Sequence, residues 1–573
     1  MNRPLALPLA GILAVALASN LMAQTPPERS AESSKQEARD QQLPESGPVS
    51  PIDRTPVLPP VEGEPARVLS GVGSIRVERI VLEGGTVLTQ KALSQIVAPY
   101  EGRAVTIEQL NQLRRELTEA YIQLGYINSG VVIPDQEVIN GVVVLREICG
   151  QLTKIKIVGE GRFSHGFIHK KLEEAAKRPL RLQDLQEALE LLQQEPMIQR
   201  VNARLVPGLF PGRAELEVSV KAVQPLQVIV GADNRRSAST GGEQGTLSVA
   251  HLNLTGRGDI LSVDMGMAQG RGAGSAAYSF PLNSRNTRIQ ASFSIDDARI
   301  VEAPFDRIDI KSKTRRSSLS VMHPWLRDSR HSLVTSIGIE GKQSKSTLLG
   351  IPFSFSPGDQ EGKSNTTVLN LGVEWRARTR DQILILGGNF RRGLRAFDAT
   401  INQSGPDGRF SAFLGQVQYA RRAGPWRGEL LLREMVQWAF DPLLALEKMP
   451  VGGFNTVRGY RENRAVRDNG MASSVEWRVP VRGDRTEKGT FDPWNLRVAP
   501  FVDYGRSWDH HDQPFRSEPL DLASAGIGLL WSPLAGLRAD LYWAQPITER
   551  DKPGNDLQDK GIHFSVQYKV PLW

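Results

Sequence analysis

From residue 225 to residue 573 the helical period of hydrophobic residues disappears, and short stretches alternate apolar with polar side chains. In Arg288 to Ile295 the apolar set is Ile289, Ala291, Phe293 and Ile295. In Thr367 to Arg376 it is Leu369, Leu371, Val373 and Trp375. Met471 to Val481 sets Val475, Trp477 and Val479 against Glu476 and Arg478. Gly561 to Trp573 sets Ile562, Phe564, Val566, Tyr568 and Val570 against His563, Ser565, Gln567 and Lys569. Side chains of a strand point to opposite faces in turn, so each stretch has one apolar and one polar face. Stretches of this length, separated by Gly, Asn, Asp and Pro clusters, predict a transmembrane β-barrel. At about 22 residues per strand and turn, the region accommodates roughly 16 antiparallel strands.

A soluble β-sandwich also alternates, so the export context matters. Residues 1–23 read as a signal peptide: Arg3, then an apolar run from Leu5 to Ala18 broken by Pro8 and Gly11, then small residues at Leu21-Met22-Ala23 or Ala16-Leu17-Ala18. Composition fits an exported barrel. With 40% hydrophobic residues and a mean hydropathy of −0.30, the chain lacks the repeated apolar runs of a helical membrane protein. The single cysteine, Cys149, excludes an internal disulfide and is expected to be a buried small residue.

Between signal and barrel lie two textures. Residues 24–43 include a helix candidate, Ser30 to Leu43, that is polar all round, and residues 44–72 form a Pro-rich linker. Then come two similar units, 73–150 and 151–224. The first has a strand (Ile75 to Leu82), helices over Thr89 to Tyr100 and Thr106 to Tyr126, and strands over Ile127 to Pro134 and Gly141 to Ile148. The longer helix opens with a capping box, Thr106-x-x-Gln109, and lines up Leu110, Leu113, Leu117, Tyr121 and Leu124 on one face. The second repeats the order: a strand (Leu152 to Val158), helices (His165 to Arg178, Leu182 to Glu195) and a closing hairpin (Ile198 to Val206, Ala214 to Val220). This is an internal repeat of strand–helix–helix–strand–strand.

Two motifs stand out in the barrel region. Val457-Arg458-Gly459-Tyr460 follows Gly452-Gly453-Phe454, and Phe501-Val502-Asp503-Tyr504-Gly505 lies further on, with Asp503 43 residues after Tyr460. A weaker set is Asp233-Asn234-Arg235, Thr240-Gly241 and Leu254 to Asp259. With these motifs the chain resembles the TpsB transporters of two-partner secretion, the ShlB/FhaC/HecB family, within the POTRA-plus-barrel superfamily that includes BamA. The resemblance covers nearly all of the chain after the signal. It implies two α+β POTRA domains in the periplasm and residues 225–573 as an outer-membrane barrel. It also implies that Val457, Arg458, Gly459 and Tyr460 sit at the tip of a long extracellular loop, around 450–468, folded back into the barrel. Phe501, Asp503 and Gly505 would be their partners on the wall.

Strand parity leads to the same pairing. Leu496, Val498, Val502 and Tyr504 share one face, so Asp503 shares the other with Arg497, Ala499 and Phe501. If the apolar set meets lipid, Asp503 faces the lumen, where a guanidinium fork suits a carboxylate and Gly459 permits the tight turn. Arg458–Asp503 is therefore expected to lock the loop to the wall.

Charge is unevenly distributed: 24–72 carries −3, 73–224 carries +1 and 225–573 carries +8. An acidic, all-polar helix suits a basic wet lumen, and in the family such a helix plugs the resting pore. The basic residues form no patch with a nucleic-acid motif, so no nucleic-acid partner is expected. His165 and His169 have the spacing of a metal pair but show no third ligand, and His510-His511-Asp512 falls in a loop, so solvated residues are expected at both. No catalytic or nucleotide-binding motif is present, and no enzyme activity, cofactor or metal is expected. The resemblance implies export of a large secreted exoprotein, a hemolysin or adhesin, across the outer-membrane bilayer, with the barrel-assembly machinery as a partner during biogenesis. The alternative is a barrel-insertion factor of the BamA type, against which the two short units and the plug-like N-terminus argue.

Overall fold

The computed structural model describes residues 73–84, 87–160, 163–176, 178–379, 381–423, 428–482, 495–548 and 554–572. The expected signal peptide, polar helix and Pro-rich linker lie outside the described residues. The chain divides into two compact units, an α+β unit and a barrel.

The α+β unit opens with β1 (Ser74–Val77) and β2 (Arg79–Glu83), then α1 (Gln90–Val97), β3 (Arg103–Thr106), α2 (Ile107–Gln123), β4 (Gly130–Val132) and β5 (Val142–Ile148). The expected strand from Ile75 to Leu82 is thus two strands with different partners. The Glu78 and Arg79 amides both donate to the Gly141 carbonyl, at 2.8 and 3.3 Å, and break the run. β1 then pairs antiparallel with β3, while β2 runs parallel to β5. β3 was not anticipated, because four residues are too few to establish a period. It buries Val105 beside Val77.

The capping box forms as the sequence indicates. The Gln109 amide donates to Thr106 Oγ1 (3.3 Å), and the Thr106 amide donates to Gln109 Oε1 (3.0 Å). Leu110, Leu113, Leu117 and Tyr121 of α2 are buried in the core formed with Val143 and Leu145 of β5. Leu124 departs from expectation: it is the C-cap and is 48% exposed, because the helix stops one residue earlier.

The second copy comprises β6 (Gln151–Glu160), α3 (His165–Glu173), α4 (Leu182–Gln193), β7 (Ile198–Pro207) and β8 (Arg213–Ala222). α3 ends well short of Arg178. The first sheet has the order β2-β5-β4 and the second β6-β8-β7. In each, the first strand runs parallel to the last and the middle strand antiparallel to it. The repeat in the sequence is therefore a repeat of topology. Backbone bonds tie the copies together: Leu182 N–H to Gly125 O (2.9 Å) and Leu180 N–H to Gly150 O (2.8 Å). Cys149, beside this junction, is half-buried rather than buried.

The barrel wall has sixteen strands. The first eight are β9 (Leu226–Asp233), β10 (Gln244–Leu252), β11 (Ile260–Ala268), β12 (Arg271–Pro281), β13 (Arg288–Arg299), β14 (Lys311–Arg327), β15 (His331–Leu348) and β17 (Lys363–Arg378), with a two-residue strand, β16 (Ile351–Pro352), attached to the end of β15. The second eight are β18 (Gln382–Gly393), β19 (Ser411–Ala423), β20 (Gly428–Ala439), β23 (Asn469–Arg482), β24 (Asn495–Trp508), β25 (Leu520–Leu534), β26 (Leu537–Pro546) and β27 (Ile562–Val570). Between β20 and β23 the chain forms a small pair, β21 (Met449–Val451) with β22 (Ala465–Arg467). β27 pairs antiparallel with β9 from Ser565↔Asp233 to Val570↔Val228, which closes the wall and leaves no edge.

Inside and outside follow strand parity. Along β24, Pro500, Val502, Tyr504 and Arg506 are exposed, while Ala499, Phe501, Asp503, Gly505 and Ser507 are buried. Other strands of the wall expose Leu319, Ile337, Leu371, Phe390, Val475, Ile527, Leu541, Trp543 and Val566. On a closed wall these side chains form the apolar belt that lipid covers. The buried parity carries Glu340, Lys342, Asn370, Arg391, Glu476 and Asp503, an interior that is polar and charged. No helix of the described residues is long and apolar enough to cross a membrane.

Candidate functional site

The segment from Met449 to Arg467 turns inward and lies against the inner wall. Two properties of its sequence allow this. Gly459 adopts φ +92°, a left-handed conformation unfavourable for other residues, and its amide donates to His563 Nε2 at 3.2 Å. A Cβ there would also lie 3.0 Å from that of Ala544. The apolar side chains Met449, Val451, Val457, Tyr460 and Leu522 then bury one another, so the loop is held by packing as well as by charge.

At its tip Arg458 meets Asp503. Nε donates to Oδ2 and Nη2 to Oδ1, both at 2.8 Å, which is the bidentate fork geometry, and the Arg458 amide adds a third bond to Oδ2 at 3.0 Å. Nη1 donates to Glu476 and Nη2 also to Ser474 Oγ at 3.0 Å, both from β23. The guanidinium stacks 3.4 Å above the Phe501 ring and 5.0 Å from that of Tyr542. Glu476 is itself held by Arg478 (2.7 Å) and by the Tyr542 hydroxyl (3.2 Å). Arg458, Asp503 and Glu476 are all nearly inaccessible to solvent. An ion pair buried this deeply repays its desolvation only with excellent geometry and satisfied surroundings, and this one has both.

The F-x-D-x-G spacing now has a physical reading. Residues 501, 503 and 505 share the inner face of β24. Phe501 supplies an aromatic floor for the guanidinium, and Asp503 supplies the fork. Gly505 supplies room: a Cβ there would sit 2.6 Å from methyl groups of both Val451 and Val457. In the V-R-G-Y motif, Val457 fills that room, Arg458 makes the pair, Gly459 makes the turn, and the Tyr460 hydroxyl reaches Ala523 O (2.9 Å) and Thr548 Oγ1 (2.6 Å).

Of the weaker set, Asp233-Asn234-Arg235 lies at the seam, while Leu254 to Asp259 connects β10 to β11. Asn234 bridges to β27, its Nδ2 donating to Ile562 O and its Oδ1 accepting from the Phe564 amide, each at 2.8 Å. Arg235 stacks 3.4 Å over Phe454 of the in-folded loop. Arg461 grips Asp559 through Nε (2.6 Å) and Nη2 (2.7 Å). Sequence reasoning passed over Glu476, Arg235, Phe454 and Arg461 as partners. For Glu476 a signal existed, since it shares the inner parity of its strand with Arg478; for the others none did, because their partners are remote in sequence.

A sixteen-stranded barrel closed by its first and last strands, with a charged loop locked to its inner wall and two β-α-α-β-β domains before it, defines an outer-membrane transporter of the POTRA-plus-barrel class. The family model for haemolysin secretion/activation proteins ShlB/FhaC/HecB matches residues 212–530, and that for the ShlB-type POTRA domain matches residues 75–150. The chain belongs to the ShlB/FhaC/HecB family. It is 24% identical over 439 residues to the outer membrane transporter CdiB of Dickeya dadantii, covering 72% of this chain and 74% of that protein. The solved structure of CdiB from Escherichia coli superposes with a TM-score of 0.68 at 19% identity, covering 96% of this chain and 100% of that one. BamA of Haemophilus ducreyi, lacking its first three POTRA domains, shares the fold at a TM-score of 0.50 and 14% identity, covering 87% of this chain and 100% of that one. The chain is thus an outer-membrane secretion pore with periplasmic POTRA domains, and its likeness to the assembly factor is one of fold.

Proposed function

We propose that the POTRA domains capture a large hemolysin- or adhesin-type exoprotein as an extended segment, and that the segment then threads the lumen while the loop lock orders the pore. The observation that supports this reading is the bidentate Arg458–Asp503 pair, because it holds a loop against the inner wall that a threading chain must pass. Strand addition suits the capture step. β6 is a ten-residue edge strand of the second sheet, and the outer side of an edge strand can take another strand. Val158 on β6 and the hairpin tip Leu209-Phe210 are exposed apolar side chains that an unfolded partner can cover. The closing strand β27 is the natural region for the barrel-assembly machinery to read during biogenesis. The test is export of a large exoprotein, encoded beside this chain, from cells with and without it. Export that continues undiminished in its absence would refute the reading.

Residues 24–43 complete the proposal as an acidic plug in the basic lumen. Deleting Gln24 to Leu43 is expected to raise single-channel conductance in planar bilayers; equal conductance before and after deletion would exclude the plug.

A further inference from the structure

The loop that carries Arg458 enters the lumen well before that residue, and its first part meets a second cluster of charge. Ala445–Glu447 forms a single 3-10 turn, and Glu447 is completely buried. Its carboxylate lies 3.0 Å from Lys342 Nζ on β15, 2.7 Å from Arg391 on β18, and accepts a 2.6 Å bond from Thr366 Oγ1 on β17. Lys342 also donates to the Leu446 carbonyl at 3.2 Å. Glu340, next to Lys342 on the same inner face, pairs with Arg316 of β14. Three cations from the wall therefore face two carboxylates, and one of those two belongs to the loop. The strands involved, β14 to β18, are separated from Asp503 on β24 by β19, β20 and β23.

We infer that Glu447 is a positioning residue for secretion: a second latch that pins the loop to a different arc of the wall from the Arg458 lock. The inference rests on the loop-lock reading of Arg458. Its physical content is that the two latches act on separate stretches. Withdrawing Glu447 leaves three cations facing only Glu340, an arrangement costly to keep dry, so the cluster must hydrate or the turn must stay docked. Between the latches the chain passes Gly452 and Gly453, both at positive φ, which can absorb a change of path on one side without moving the other.

The experiment compares Glu447→Gln, Glu447→Asp and Arg458→Ala in the full-length, membrane-inserted protein, with heat-modifiable migration as the check on barrel integrity. Amide exchange is followed by mass spectrometry alongside secretion and single-channel conductance. Glu447→Gln is expected to speed exchange around Ala445 to Met449 on the order of 100-fold, the scale set by unpairing a buried charge. It should leave Arg458 to Tyr460 protected, raise conductance and slow secretion. Glu447→Asp, which keeps the charge, should restore most of the protection and of the secretion rate. Wild-type exchange, conductance and secretion in Glu447→Gln would overturn the second latch. If instead Glu447→Gln also exposes Arg458 to Tyr460, the two stretches are one unit and the inference fails. Arg458→Ala with unchanged secretion would refute the underlying loop-lock reading, a different result from either.

Discussion

Arg458→Ala is expected to abolish most secretion while leaving the barrel inserted and heat-modifiable. The substitution removes five side-chain contacts at once: the fork to Asp503, the bonds to Glu476 and Ser474, and the ring contacts with Phe501 and Tyr542. It also leaves the Asp503 and Glu476 carboxylates buried without the guanidinium that joined them, although Arg478 still pairs with Glu476. Breaking a buried pair by deleting one partner costs about 3–5 kcal/mol. That is enough to shift a docked loop to an undocked one by two orders of magnitude or more. The wall itself keeps every backbone ladder, so the loss falls on the loop. Arg458→Lys should recover little, because an ammonium is a point charge that cannot make parallel bonds to both carboxylate oxygens. Asp503→Asn should be milder, since the amide oxygen still accepts one bond. Secretion measured as exoprotein in the medium, normalised to inserted barrel, checks the series. A wild-type rate for Arg458→Ala would refute the lock.

The sequence made the fold legible where repetition was strong and left it hidden where pairing was local. Period-two alternation along β13, β17, β23 and β27 showed which residues share a face, and the signal peptide and family motifs were needed to tell a barrel from a soluble sandwich and the lumen from the lipid side. The tandem units were legible because their helices carry complete apolar faces. The four-residue β3 was not legible because it is too short to establish a period, and the break at Glu78 was not because it depends on where a remote carbonyl, that of Gly141, lies. The same distinction applies at the candidate site. Asp503 was legible as a carboxylate on an inner face, and Arg458 could be matched to it, among the four arginines of the loop, because the V-R-G-Y and F-x-D-x-G motifs resemble those of the family. Glu447 lies in an apolar stretch, Leu443 to Met449, that looks like an ordinary loop. Its partners Lys342, Thr366 and Arg391 come from three strands, and only closure of the wall brings them together.

Gly505 offers a second large effect, one that depends on volume and not on charge. It lies on the inner face of a regular strand, so its role is not conformational freedom. In a strand interior, glycine marks a site where another part of the chain comes close. Here that part is the loop: an added Cβ meets Val451 Cγ1 and Val457 Cγ2 at 2.6 Å each, well inside contact distance. Gly505→Val is therefore expected to hold the loop off the wall and to reduce secretion nearly as far as Arg458→Ala, although every charged partner is still present. Overpacking of this kind costs about 1–3 kcal/mol when neighbours can yield. Both neighbours belong to the loop, so their yielding is undocking. Gly505→Ala should show a smaller loss. That loss should be relieved when Val451→Ala and Val457→Ala are added, because the two deleted methyl contacts are those the new Cβ would strike. Secretion by the single and triple variants, against Val451→Ala/Val457→Ala as reference, decides the matter. Normal export by Gly505→Val would mean that the loop need not touch β24 for transport, and failure of the valine truncations to relieve Gly505→Ala would place the clash elsewhere on the strand.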